Sequence, residues 1–161
     1  MDIKDRELHR IVIMAIIYDK DGRYLITKRS PHKKVFPDKW TVPGGGLEVD
    51  DYINTPPTTE DGSWYNAVEK ALRREVREEV NLEMGEVKYL LDLAFIRPDG
   101  IPVITLSYYA PYLSGEVKLD DDAVDFKWVT LAEAKNYDLI KGIWEEIELT
   151  EKILREQGVL K

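Results

Sequence analysis

The sequence predicts an α+β fold in a single domain over residues 1–161. Its 161 residues, 43% hydrophobic and 34% charged, match one globular domain with a sizeable core. Apolar β-branched runs flank glycine-containing turns, and other segments repeat apolar residues at helical spacing. These two kinds of segment alternate without a linker or an internal repeat, so we expect strands and helices to pack in one compact unit.

The charge balance and the residue types exclude several classes of protein. The chain carries 31 acidic and 23 basic residues, a net charge of −8, which gives no electrostatic support for binding a nucleic-acid duplex. It has no cysteine, which removes disulfides, zinc-thiolate sites and thiol catalysis. No apolar run approaches the ~20 residues that span a bilayer, and the N-terminus lacks a signal-peptide layout. We therefore expect a cytoplasmic protein without a membrane partner.

The N-terminal part predicts a hairpin followed by a glycine turn. Two apolar runs at 10–18 and 23–29 are joined by the turn signal at 19–22, Asp-Lys-Asp-Gly. Further along, Pro43 precedes three glycines at 44–46. Such a run indicates that backbone, rather than side chains, is presented there.

A long loop and a helix follow the glycine turn. Residues 51–62 are polar and contain two prolines, so we expect a loop. Ser63 is a candidate N-cap, and apolar residues then recur at helical spacing, which predicts a helix over 64–80. Because loops of this length in compact domains are often functional, we expect this one to border the substrate pocket and influence substrate choice.

The C-terminal half predicts a second hairpin and two more helices. The turn signal Pro98-Asp99-Gly100 divides a long apolar stretch into two strands. The remaining predicted elements are a strand at 125–129, a short helix at 131–135 and an amphipathic helix within 137–158.

Three glutamates on the first helix are the strongest functional signal. Glu75, Glu78 and Glu79 stand at i, i+3 and i+4, so an α-helix gathers their carboxylates on one face. Like charges so placed repel one another. A hard cation such as Mg²⁺ between them would turn that repulsion into binding.

The glycine turn and this helix together resemble the signature of Nudix hydrolases. That signature runs Gly, five residues, Glu, seven residues, Arg-Glu-apolar-x-Glu-Glu-x-Gly-apolar. Here Gly45 opens it and residues 74–82, Arg-Glu-Val-Arg-Glu-Glu-Val-Asn-Leu, close it. The resemblance implies the family's fold, an α/β/α sandwich with a mixed β-sheet.

The sequence departs from the signature at two points. Asn81 replaces the family's glycine after the helix, which is a mild change because asparagine also adopts left-handed C-cap conformations. The segment from Gly45 to Arg74 is about fifteen residues longer than the signature allows. Counting forward from Gly45 assigns the first motif glutamate to Asp51, whereas counting back from Arg74 assigns it to Asn66, and both alternatives stay open.

The resemblance implies hydrolysis of a nucleoside diphosphate linked to another group X, with Mg²⁺ or Mn²⁺ as cofactor. The implied metal ligands are Glu75, Glu78, Glu79 and the backbone carbonyl of Gly44. Arg74 would orient the carboxylate of Glu75 through a charge-assisted pair. A second interpretation makes Arg74 an ordinary i,i+4 partner of Glu78.

The resemblance implies two candidate positions for the general base. One is a motif glutamate, Glu75 or Glu78. The other is an acidic residue six positions before a tryptophan that starts the last strand, which here is Asp122 before Trp128. An acidic solvent loop is the alternative interpretation of the run around Asp122.

The sequence gives two candidates for substrate contacts. Lys28 and Arg29, at the end of the second strand, are candidates for phosphate binding, although exposed charges there often only protect a sheet edge. The expected partner is a small nucleotide or nucleoside diphosphate derivative, and a homodimer is left open.

A nucleotide-sensing module without catalysis is the alternative function, and retention of all three glutamates favours the enzyme. The isomerase activity found in some Nudix-fold proteins is excluded because it requires a cysteine.

Overall fold

The structure, a computed structural model, describes residues 5–161. Short 3-10 helices occur at Asp5–Glu7 and Val49–Asp51. The strands are β1 (Arg10–Tyr18), β2 (Tyr24–Arg29), β3 (Trp40–Thr41), β4 (Gly44–Gly46), β5 (Glu83–Met84), β6 (Lys88–Ile96), β7 (Pro102–Ser114) and β8 (Ala123–Val129). The helices are α1 (Ala67–Val80), α2 (Leu131–Ala134) and α3 (Ile143–Glu156).

The eight strands form one mixed sheet. Its central order is β3-β2-β1-β7-β5, with β8 paired to β2, β4 to β1 and β6 to β7. β1 and β7 run parallel over their length, with Ile13 opposite Leu106, and every other pair is antiparallel. The glycine strand β4 therefore lies directly beside the centre of the sheet.

Helices cover both faces of this sheet. Because successive strand residues point to opposite faces, Ile13 of β1 packs with Leu72 and Val76 of α1, whereas Ile16 packs with Ile147 of α3. Each helix buries an apolar stripe. The result is the predicted α/β/α sandwich with a mixed β-sheet.

Two helices begin later than the sequence predicts. Ser63 does not cap α1, because its amide donates to the Thr59 hydroxyl and its carbonyl accepts from Thr58, which keeps it in the loop. α1 instead begins after Asn66, whose φ is 59°. The last helix does not start near 137, since residues 138–140 run beside Trp40 as an extended segment.

The described residues contain no helix that is both long and apolar enough to cross a bilayer. The N-terminal sequence that we compared with signal peptides lies partly outside the described residues.

Candidate metal and substrate site

Packing of α1 determines where its glutamates lie. Val76 and Val80 are fully buried against the sheet. They fix the rotation of the helix about its axis, and this rotation turns Glu75 and Glu79 towards β4. Glu78 lies on the outer side, with its side chain 58% exposed.

Glu79 is the most buried of the three carboxylates, at 9% exposure. Its Oε2 accepts a hydrogen bond of 2.9 Å from the amide of Gly44, and the Thr27 hydroxyl lies 3.5 Å from Oε1. Burial raises the pKa of Glu79 to about 7, Gly44 opposes this effect, and the charge of Asp120 adds to it. Glu79 thus makes no ion pair among the described residues, although its charge opposes the lowering of the Arg29 pKa by burial.

Glu75 lies against the backbone of the glycine strand. A Cβ atom on Gly45 would come within 2.2 Å of the Glu75 Cδ, so only glycine leaves room for the carboxyl group. Burial raises the pKa of Glu75, and the guanidinium of Arg74 partly offsets this rise. The glycine turn and the helix therefore meet at the Glu75 carboxylate.

Arg74 contacts three carboxylates at once. Its Nη2 donates to Glu75 at 2.9 Å and its Nη1 donates to Glu78 at 2.8 Å, while its Nε donates to Asp51. Both interpretations of Arg74 describe a contact that exists: it pairs with Glu75 and also with the i,i+4 residue Glu78. The guanidinium holds the carboxylates of Glu75 and Glu78 near one another.

The structure distinguishes the two alternatives for the first motif acid. Asp51 pairs with Arg74 and its side chain is only 3% exposed, whereas Asn66 lies immediately before α1 in a left-handed conformation. Burial works against ionisation of Asp51, but hydrogen bonds from Arg74 and from the Glu48 amide hold its pKa below the usual value. Counting forward from the glycine turn finds the residue that contacts Arg74.

Asn81 occupies the position of the family's glycine after the helix. Its φ of 58° is left-handed and its amide donates to the carbonyl of Arg77, which closes the last turn of α1. The substitution is therefore accommodated as the sequence predicts.

The acidic run at 120–122 lies next to the buried glutamate. The Asp120 amide donates to the carbonyl of Glu79, and the charges of Asp120 and Asp122 both raise the pKa of Glu79. Asp122 is 58% exposed and pairs with Lys33 at 2.9 Å. Burial raises the pKa of Asp120. The run is thus beside the site, and the base role of Asp122 stays a prediction.

The two candidate phosphate-binding residues differ in their surroundings. Arg29 donates to the carbonyls of Val35 and Phe36 at 2.8–3.1 Å, so its guanidinium holds the loop after β2, and burial lowers its pKa. Lys28 neighbours Thr27 along the strand and points to the opposite face by alternation. The structure does not bring Lys28 to the carboxylates, and phosphate binding by either residue stays a prediction.

Four polar residues at the site were not found from the sequence: Thr27, Thr41, Lys33 and Asp120. Thr27 contacts Glu79, and Thr41 lies opposite Thr27 in the sheet with a buried hydroxyl that lacks a hydrogen-bond partner among the described residues. Strand alternation could have identified Thr27. The contact between Lys33 and Asp122 joins distant segments, and no sequence pattern predicts it.

The charges at this site fit a divalent cation. Across residues 5–161, no three acidic, histidine or cysteine side chains already stand in a metal-binding group, and Glu78 is paired with Arg74. The charge of Glu75 nevertheless raises the pKa of Glu79, and burial raises the pKa of both carboxyl groups. Carboxylate oxygens of this kind are ligands that Mg²⁺ and Mn²⁺ prefer. Glu75 and Glu79 would hold the ion, and Glu78 could join them by leaving Arg74.

Comparison with known proteins relates the sequence to one family. A family model described as NUDIX domain matches residues 8–149. The chain is 29% identical over 162 residues to "Nucleoside triphosphatase NudI" of Escherichia coli (strain K12), covering 92% of this chain and 96% of that protein.

Solved structures share the fold at lower identity. The NUDIX domain of Shewanella oneidensis NrtR, complexed with ADP ribose, has a TM-score of 0.73 at 18% identity and covers 96% of this chain and 94% of its own. The MutT protein from Methanosarcina mazei Go1 has a TM-score of 0.67 at 22% identity, with coverages of 92% and 95%.

Proposed function

The chain belongs to the Nudix hydrolase family, and on that basis we propose that it uses Mg²⁺ or Mn²⁺ to hydrolyse a diphosphate linkage in a nucleoside diphosphate derivative. The observation that carries the proposal is the contact of Glu75 and Glu79 with the glycine turn. Two carboxylates with raised pKa values meet the backbone of Gly44 and Gly45, and Glu79 makes no ion pair with a described basic side chain.

A bound divalent ion would neutralise phosphate oxygens and lower the pKa of a coordinated water molecule. Other residues of this chain orient the carboxylates that would hold the ion. The Gly44 amide orients Glu79, and Arg74 orients Glu75 and holds Glu78 nearby. The predicted contribution of the Gly44 carbonyl as a further ligand is part of this proposal.

A carboxylate must also accept a proton from the attacking water. Asp122, the base candidate from the sequence, lies in the run whose charge reaches Glu79. The charge of its neighbour Asp120 also raises the pKa of Glu79. We retain Asp122 as the proposed base, with Glu75 and Glu78 as the alternatives.

Nucleoside triphosphates are the substrate class we propose first. The support is the relative of 29% identity that is named a nucleoside triphosphatase and aligns over nearly its whole length. The test is a substrate screen with and without Mg²⁺, covering canonical and oxidised nucleoside triphosphates, ADP-ribose, sugar nucleotides and dinucleoside polyphosphates. Metal-dependent turnover of triphosphates above the other classes supports the proposal. Turnover that does not depend on the metal ion contradicts the proposal.

Nucleotide sensing without catalysis is the second candidate. It is favoured by the likeness to the NrtR domain that was crystallised with ADP ribose. Retention of Glu75, Glu78 and Glu79 argues for catalysis instead. The same screen separates the two functions if binding is followed by calorimetry, since a sensor would bind ADP-ribose without releasing any product.

A further inference from the structure

The outer strand β6 carries an exposed backbone edge. Within residues 5–161, β6 pairs with β7 and with no other strand, so one side of it leaves amide and carbonyl groups unpaired. Such an edge is a template for another β-strand. Native proteins usually protect an edge with charges, a proline, a β-bulge or a very short strand.

The sequence of β6 offers little of that protection. Beyond a register shift between Tyr89 and Leu91, the strand continues as Leu-Asp-Leu-Ala-Phe-Ile with one charged residue. Leu93 is 37% exposed and Ile96 is 67% exposed. An exposed apolar edge strand of this length suits pairing with a further strand.

We propose that a second copy of this chain pairs with β6, antiparallel and about a two-fold axis at Leu93. In this register Leu93 faces its own copy, and Leu91 faces Phe95 of the partner on both sides of the axis. All three residues lie on one face of the strand, since they stand opposite Ser107, Thr105 and Val103 of β7. The dimer would join two sheets into one.

The charge of Asp92 favours this register over the neighbouring registers. Asp92 lies opposite Ala94 of the other copy when the axis passes through Leu93, whereas an axis through Asp92 would oppose two carboxylates. Within its own strand, Asp92 accepts a hydrogen bond from the Tyr89 hydroxyl. Cross-strand like charges destabilise a pair, and aliphatic or aromatic pairs stabilise it. Self-complementarity of this kind is what a two-fold interface requires.

The absence of cysteine from the sequence gives a direct test. A Leu93→Cys variant places two thiols opposite each other, at a Cβ separation of about 4.5–5.5 Å, within reach of a disulfide. A Leu91→Cys variant places them four residues apart along the strands, about 14 Å, which is out of reach. Mild oxidation should therefore cross-link Leu93→Cys into a covalent dimer and leave Leu91→Cys monomeric.

Sedimentation of the wild-type protein over a range of concentrations completes the test. We expect a dimer that Leu93→Lys converts to a monomer, while Val159→Lys, at an exposed apolar residue beyond α3, stays dimeric. The circular dichroism spectrum of Leu93→Lys must match that of the wild-type protein. If this variant unfolds, cross-linking of the two cysteine variants tests the proposal instead. A monomeric wild type at all concentrations would overturn the proposal. So would a dimer in which Leu93→Cys fails to cross-link, or equal cross-linking of both cysteine variants.

Discussion

The guanidinium of Arg74 donates a hydrogen bond to the carboxylate of Asp51, which precedes it by 23 residues in the chain. Asp51 is the last residue of a 3-10 helix at the start of the long loop, and Arg74 lies on α1. The pair holds the start of the inserted loop beside the candidate site. The loop is therefore tied to α1 at its first residues, and its influence on substrate choice stays a prediction.

Asp51→Asn should impair catalysis through Arg74. Loss of a buried charge partner costs about 1–3 kcal/mol, and Arg74 would then hold Glu75 and Glu78 less firmly. We expect a lower melting temperature and a turnover reduced about tenfold or more, both partly restored in Asp51→Glu. Asp50→Asn, at the exposed neighbouring residue, is the matched control. Unchanged kinetics in Asp51→Asn would show that the pair does not position the site.

Gly45→Ala should displace Glu75 while leaving the fold intact. The new methyl group would occupy the space of the Glu75 carboxyl, which can move because it ends a flexible side chain. We expect weaker Mg²⁺ binding and at least a tenfold loss of turnover with little change in melting temperature. Gly46→Ala is the control, since the atoms nearest to its Cβ would belong to the end of the flexible Arg10 side chain. Equal effects of the two substitutions would argue against a specific role for Gly45.

Asp122→Asn tests the proposed base. If Asp122 accepts the proton of the attacking water, this variant loses roughly 10²–10⁴-fold in turnover and the acidic limb of its pH-rate profile, with metal affinity preserved. Asp120→Asn serves as the comparison, because both residues lie beside Glu79. Loss of metal binding in Asp122→Asn would make it a ligand. A near-normal rate would return the base role to Glu75 or Glu78.

Glu146 gives a prediction about stability and pH away from the metal site. It lies on the sheet side of α3 at 6% exposure, its Oε2 lacks a hydrogen-bond partner among the described residues, and burial raises its pKa. Because the folded protein holds this proton more tightly than the unfolded chain, Glu146 destabilises the fold increasingly as pH rises above its unfolded value of 4.5.

Glu146→Gln should therefore raise the melting temperature at pH 8, with a gain that shrinks towards pH 4.5. Thermal unfolding across this range checks the prediction, and Glu148→Gln, on the exposed side of the same helix, should show no such trend. A gain that is independent of pH would mean that Glu146 does not ionise on unfolding.

Most of the fold follows from local patterns. Strand alternation and turn signals identified β1, β2 and the β6–β7 hairpin, because these depend on neighbouring residues. The parallel pairing of β1 with β7 joins distant segments and leaves no local signal. The start of α1 was misplaced for a related reason: Ser63 suits an N-cap, but contacts within its own loop outweigh that preference.

The candidate site also combines features that local patterns predict with features that depend on the packed structure. The helical spacing of Glu75, Glu78 and Glu79 is visible in the sequence, and so is the glycine turn. Counting residues from the two ends of the motif did not identify the acid that contacts Arg74, because the insertion lengthens the segment between those ends. The different exposures of Glu78 and Glu79 depend on how α1 rotates against the sheet, which only the packed structure defines.

The central claim is that these glutamates bind the divalent ion required for hydrolysis of a diphosphate linkage. Its most direct test is a Mg²⁺ titration of turnover for Glu78→Gln on the best nucleotide substrate, with Glu69→Gln on the same helix as control. Glutamine preserves helix propensity but removes a negative ligand. The account predicts weakened Mg²⁺ dependence and at least a hundredfold loss of turnover in Glu78→Gln alone. Wild-type turnover and Mg²⁺ dependence in purified Glu78→Gln would contradict it.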